Sequence, residues 1–300
     1  MQQLSVGVIG AGRVGTVLAA KFRAAGHPIT AVSGRSDAAR LRVETMLPGV
    51  EIVEPSEVAA RSDIVILSVP DDSLIRVAEE LAASGVVSPG QVVMHTSGRH
   101  GLEALAALTR QGALPIAFHP AMTFTGTDVD LDRTCVFGLT ASEWVHGLAE
   151  LLVAELGGTA MWVDEANRAL YHAALAHGAN HLVTLVSQSM DLLRSAGAAD
   201  PAAVLRPLLS AALDNTLAYG DAALTGPVVR GDVTTIRAHV DAFAQSNIDD
   251  STVDTYLELA RATADRAEAA GRLSAADAGH VRQVLVEADW DAMAQIVAGI

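Results

Sequence analysis

An apolar run, Val6-Gly-Val-Ile9, leads straight into Gly10-Ala11-Gly12-Arg13-Val14-Gly15, and a helical pattern follows over 15–25. Strand, glycine-rich turn and helix in this order constrain the chain to a βαβ start. Gly10 suits a tight turn, Gly12 a close approach of backbone to a pyrophosphate, and Gly15 close helix–strand packing. The diphosphate would rest on the free N–H groups of residues 10–15 at the helix N-terminus. Many ordinary turns are glycine-rich; the flanking strand and helix are what point to a nucleotide cofactor here.

The rest of the first half alternates β-rich and helical runs. Strands are expected at 4–9, 28–33, 51–54, 63–69, 91–95, 113–118, 134–139 and 159–163, with helices at 15–25, 36–46, 73–84 and 101–111. This alternation predicts an α/β fold with a doubly wound, mainly parallel sheet, and leaves open whether the last strands run antiparallel. Near Asp164 the character changes. A helical period over 166–196 stops at Gly197, Asp200-Pro201 opens a helix over 201–219, Asp232 is a plausible cap for 233–244, and further helices are expected at 251–270 and 275–298. The expected organisation is a Rossmann domain over 1–164 and an all-α domain over 165–300.

Composition narrows the function classes. The net charge of −15 opposes binding to nucleic acid or an anionic membrane surface, but not to a small anion in a local field. Cys135 is the only cysteine, so no disulfide forms within the chain and a cytoplasmic setting is expected. The most apolar helical stretch, 169–190, contains His172, His177, Asn180 and His181, too polar for a membrane span, and no basic leader precedes the first strand.

Cofactor choice turns on the end of the second strand. NAD-binding folds place a carboxylate there for the ribose 2′-hydroxyl. Here the residues are Ser33-Gly34-Arg35-Ser36, which lack a carboxylate and offer a guanidinium and two hydroxyls to a 2′-phosphate. NADP is therefore favoured over NAD; the alternative is a polar turn with a solvated arginine. Val69-Pro70, at the end of the fourth expected strand, would flank the nucleotide, while Asp72 and Ser73 read as helix caps.

Two more strand ends should reach the same edge of the sheet: His95-Thr96-Ser97-Gly98 and Phe118-His119-Pro120. Each histidine alone is more simply structural, and Ser97 reads as a substrate or cofactor contact rather than a nucleophile. On the long helix, His172, Ala176 and Asn180 fall at i, i+4 and i+8, one side of a helix. An asparagine on an apolar stripe is costly unless partnered, which singles out Asn180. His177 and His181 have metal-ligand spacing but lack a third ligand, so no metal is expected. Thr225-Gly226-Pro227 through Arg230-Gly231-Asp232 joins a fixed turn to a helix start, where Arg230 suits a substrate carboxylate or, equally, a salt bridge.

Taken together, these motifs resemble a bacterial Rossmann-like family whose helical C-terminal half is classed as a domain of unknown function. It is grouped with the 6-phosphogluconate dehydrogenase-like and deazaflavin-dependent NADP oxidoreductases. The resemblance implies an NADP-dependent oxidoreductase, and through some members a ketopantoate reductase of pantothenate synthesis. It also implies imine (pyrroline-5-carboxylate-like) or deazaflavin-linked reduction as alternatives, and a homodimer built by the helical domain. A non-catalytic NADP sensor or scaffold is the reading from another class. Related enzymes place a lysine four residues before the asparagine; here that position is Ala176, and Lys21 is the only lysine in the chain. The proton donor is then expected to be His172 or His119, or water held by Asn180, with Ser97 orienting the carbonyl and Arg230 the carboxylate.

Overall fold

The computed structural model describes residues 3–246 and 248–298. Seven strands form one sheet: β1 (Val6–Ile9), β2 (Ile29–Ser33), β3 (Ile64–Leu67), β4 (Val92–His95), β5 (Leu114–Pro120), β6 (Val136–Ala141) and β7 (Thr159–Trp162). Their order is β2-β1-β3-β4-β5-β6-β7. All neighbours pair parallel except β5 and β6, which settles the direction left open by the sequence. The expected strand at 51–54 is reduced to one parallel bridge, Ile52 to Val32, at the sheet's edge. It occupies the place of a third strand, but Pro55 opens a helix and ends the pairing.

The helices of this part are α1 (Arg13–Ala24), α2 (Asp37–Met46), α3 (Pro55–Ala60), α4 (Asp71–Ser84), α5 (Ala106–Thr109), α6 (His146–Glu155) and α7 (Arg168–Leu175). The sequence reading missed α3 and α6. Both faces of the sheet are covered, so strands read as continuous apolar runs rather than alternating ones. In β3, Ile64 and Ile66 join a core with Leu18, Phe22 and Phe118, while Val65 and Leu67 join another with Leu74, Leu81 and Leu105. Burying each such side chain contributes about 1.5–3 kcal/mol, more than an exposed ion pair at about 0–1 kcal/mol. These strands, not surface charges, fix the platform.

The chain divides into two compact units between Gly178 and Ala179. The reason is Arg168: its guanidinium bonds carbonyls of the sheet unit, so α7 belongs with the strands. A π-turn over Ala176–Asn180 follows, then α8 (His181–Ser195), α9 (Pro201–Tyr219), α10 (Val233–Ala244), α11 (Asp250–Ala269) and α12 (Ala275–Ala298). Gly197 follows α8 in the left-handed region at φ +91°, Asp200 caps α9 through Ala203 N–H at 3.0 Å, and Asp232 caps α10 through Thr235 N–H at 3.0 Å. The helical unit has its own core, including Ile236, Leu257, Ala264, Val281 and Leu285. Among the described residues no helix is long and apolar enough to cross a membrane.

Candidate functional site

The glycine loop is shaped as its spacing predicts. Gly10 has φ +101°, and a Cβ there would lie 2.3 Å from the Ser68 carbonyl oxygen. A Cβ on Gly15 would lie 2.3 Å from the Gly10 carbonyl oxygen, so α1 can approach β1 only with glycine in place. Gly12, by contrast, faces open space, with nothing within 4 Å of its added Cβ. No side chain caps α1, and its first turn, Arg13-Val14-Gly15, carries no carboxylate. Ala11 is fixed by its N–H to the Ser33 carbonyl at 2.7 Å. An exposed, uncapped N-terminus beside open space suits a diphosphate.

Next to this loop lies a cleft of about 700 Å³ whose wall includes Gly10, Ser33, Gly34, Arg35, Val69 and Pro70. These are residues the sequence assigned to the cofactor. Arg40 also lines it, and neither Arg35 nor Arg40 makes an ion pair among the described residues. Glu54, from the edge segment beside β2, lines it too and brings a carboxylate that the reading of 33–36 did not anticipate. Ser36 is not in this wall: its Oγ accepts the Ala39 N–H at 3.1 Å and caps α2. The donor set fits NADP, with open backbone N–H groups for the diphosphate and two unpaired guanidinium groups for a 2′-phosphate.

The carboxyl ends of β4 and β5 bring together a second constellation. His95 is fully buried; its Nδ1 accepts the Ser97 N–H at 3.2 Å and its Nε2 donates to the Gly101 carbonyl at 2.9 Å. Burial above all pushes its pKa down to about 4, opposed by the Gly101 contact and assisted by Arg168. This histidine is structural. His119, on the next strand, is half-buried. Its Nδ1 lies 2.9 Å from the Tyr171 hydroxyl, and its ring centroid is 6.1 Å from that of His172. A Cβ placed on Gly98 would meet His172 Cδ2 at 2.5 Å and His119 Nε2 at 3.0 Å. Gly98 thus forms the floor on which the two expected histidines converge.

Arg168, which the sequence reading did not single out, holds this arrangement. It is 1% exposed. Its Nε donates to the His100 carbonyl at 2.9 Å, one terminal nitrogen to Gly138 at 3.1 Å, and the other to Ser97 at 2.9 Å. One side chain therefore ties the turn after β4 to β6, across the end of the intervening β5 that carries His119. No carboxylate pairs with it among the described residues. Glu165, a carboxylate whose charge acts on it, instead accepts the Leu102 N–H at 2.8 Å. Burial first, then the charges of Arg168 and His172, hold the His119 pKa down to about 4.

The other expected residues stand as follows. Ser97 is buried, and its Oγ accepts the His100 N–H at 3.2 Å, with its hydroxyl proton still to offer. Lys21 donates to the Leu131 and Arg133 carbonyls at 2.8 and 2.7 Å, anchoring a loop rather than approaching the histidines. Asn180 belongs to the helical unit and is exposed, which removes the premise that it is a costly buried amide. The π-turn adds a residue to the turn between Ala176 and Asn180, and no residue of it or of α8 is buried. Arg230, also in the helical unit, is exposed and makes no ion pair among the described residues, while Val228 and Val229 beside it enter that unit's core.

Two family models match the chain. Residues 1–120 match a Rossmann-like domain, and residues 135–263 match a domain of unknown function, DUF2520. His95, Ser97 and His119 lie in the Rossmann-like match, whereas Gly138, Arg168, Tyr171 and His172 lie in the DUF2520 match. The chain matches no curated protein. Among solved structures it is similar to a Bacteroides fragilis protein provisionally described as an NADP oxidoreductase (TM-score 0.74, 20% identity, covering 87% of this chain and 98% of that one). It is also similar to an imine reductase from Myxococcus stipitatus in complex with NADP+ (TM-score 0.67, 17% identity, 87% and 94%). A third is an imine reductase from a Pseudomonas species (TM-score 0.62, 21% identity, 90% and 99%). At these identities the likeness is one of fold.

Proposed function

We propose that this Rossmann–DUF2520 protein is an NADPH-dependent reductase of a small 2-keto acid, with ketopantoate the best single candidate. The observation that carries the reading is the convergence of His119 and His172 on Gly98 at the same sheet edge as the glycine loop. Bound at that loop, NADPH supplies the hydride. Arg35 and Arg40 would hold the 2′-phosphate, and the first turn of α1 the diphosphate. The imidazole pair would supply the proton to the alkoxide in place of the missing lysine. Asn180 and Arg230, assigned on sequence grounds, would orient the carbonyl and hold the carboxylate.

The imine alternative draws support from the names of the solved relatives, and electrostatics weigh against it. Among the described residues Arg168 is a buried cation without a carboxylate partner, and its field favours an anionic substrate and a developing alkoxide over a cationic iminium. The helical unit also exposes large apolar side chains on α8 and α9, among them Val183, Leu208 and Leu217, at 67, 64 and 78%. A patch of that kind supports the proposed homodimer, and a monomeric mass in light scattering would exclude it.

Following NADPH oxidation across a panel of 2-keto acids, cyclic imines and a deazaflavin tests the reading. Turnover of ketopantoate or a close 2-keto acid is expected, and turnover of a cyclic imine alone would reject it. His172→Ala should lower kcat while leaving NADPH affinity nearly unchanged. Tight NADPH binding without hydride transfer to any acceptor would favour a sensor.

A further inference from the structure

The Tyr171 hydroxyl is the key to which proton His119 can give. It sits 2.9 Å from His119 Nδ1, and the backbone N–H of Gly138 also reaches it. Gly138 makes this possible: a Cβ there would lie 2.4 Å from the hydroxyl oxygen, so any side chain would displace the phenol. The hydroxyl has one proton to donate, and His119 Nδ1 is the acceptor within reach among the described residues. That leaves the neutral ring protonated at Nε2. Among the described residues Nε2 has no hydrogen-bond partner, and it is the atom that faces Gly98 and His172.

We infer that Tyr171 and Arg168 are positioning residues that hold His119 as a neutral imidazole with its proton on Nε2, aimed at the substrate oxygen. This rests on the reductase reading for its purpose, though not for its geometry. The charges and rings that face His119 act together. Arg168, His95 and His172 oppose an imidazolium, and Asp71 alone favours one. Arg168 also stands 5.6 Å over the Tyr171 ring.

The proton transfer then balances without a charged histidine. Hydride adds to the carbonyl carbon and the C=O π pair moves to oxygen. That oxygen takes the Nε2 proton, while Nδ1 takes the proton of the Tyr171 hydroxyl. The imidazole stays neutral, with its proton now on Nδ1. Burial pushes the Tyr171 pKa up while the Arg168 charge and Gly138 oppose that rise, so the phenolate is short-lived and solvent returns its proton as the transfer completes. Product release and tautomer exchange restore the starting state.

Nitrogen NMR of protein labelled with ¹⁵N-histidine reads the tautomer directly, with His119 assigned by its loss in His119→Gln. The expected spectrum shows Nε2 protonated and Nδ1 bare between about pH 5.5 and about pH 8. Tyr171→Phe should mix the tautomers and reduce kcat by about a hundredfold, with NADPH affinity unchanged. It should also convert a two-proton solvent isotope effect into a one-proton effect. A ring protonated at Nδ1, or an imidazolium at about pH 6, in the unaltered protein would overturn the inference. Because the spectrum needs no turnover, a protein that shows this tautomer but reduces nothing would sink the reductase reading and leave this one standing.

Discussion

Gly98→Ala places one methyl group where the two histidines meet. Its Cβ would stand 2.5 Å from His172 Cδ2 and 3.0 Å from His119 Nε2. Ordinary contact begins near 3.4 Å, so the His172 ring must retreat by about 1 Å and His119 by a few tenths of an ångström. His172 is only half-buried and can swing away, so the fold should survive with little loss of stability. Catalytic geometry should not survive, since a misplacement of about 1 Å costs about a hundredfold in rate, or about 2.7 kcal/mol. The assay is kcat from NADPH oxidation, with NADPH affinity followed by nicotinamide fluorescence and folding by thermal melting. Gly147→Ala in α6, where the added Cβ meets nothing within 4 Å, is the control: it should leave kcat and NADPH affinity unchanged and the melting temperature level or slightly raised. A Gly98→Ala enzyme that folds normally and keeps kcat within about threefold would refute a reaction centred on this floor.

Other outcomes follow from the same structure. Arg168→Met leaves the Ser97, His100 and Gly138 carbonyls without their charged donor, yet also removes a buried cation. The net expectation is a loss of about 3 kcal/mol in urea unfolding, together with a rise in the His119 pKa. His95 and His119 both titrate near 4 in the folded chain against 6.5 for the free side chain. The unfolded state therefore binds more protons between those values, so stability is complete above about pH 6.5 and falls as pH drops towards 4. Thermal melting from about pH 8 to about pH 4 should show the decline, and His119→Asn should make it shallower. Arg35→Ala should weaken NADPH about tenfold or more while barely changing NADH, read by fluorescence titration; equal losses for both would contradict the 2′-phosphate assignment.

The parts legible in the sequence were those where one residue type answers one local need. Gly10 and Gly15 were marked by spacing, and each proves to have backbone where a Cβ would go. Gly197, Asp200 and Asp232 marked helix ends because their chemistry acts on the nearest turn. What stayed hidden depends on distant partners. Arg168 looks like any arginine near a helix start until its three carbonyl acceptors, 30 to 71 residues away, are in view. Gly138 did offer a signal, since glycine inside a strand often marks a close approach, here by Tyr171. The π-turn over Ala176–Asn180 was not legible either, because a 3.6-residue period was assumed through that stretch. Ser36 was read for the 2′-phosphate alone, and its oxygen also caps α2.

The central claim is that hydride passes from NADPH to the carbonyl carbon of a 2-keto acid on the Gly98 floor. Incubating the protein with ketopantoate and NADPH deuterated at nicotinamide C4, then examining the product by mass spectrometry and NMR, tests it most directly. The account predicts a 2-hydroxy acid carrying deuterium at C2, formed by the unaltered enzyme and lost in the His119→Gln, His172→Ala double variant. Deuterium appearing only in a reduced cyclic imine, or in no product at all despite bound NADPH, would contradict it.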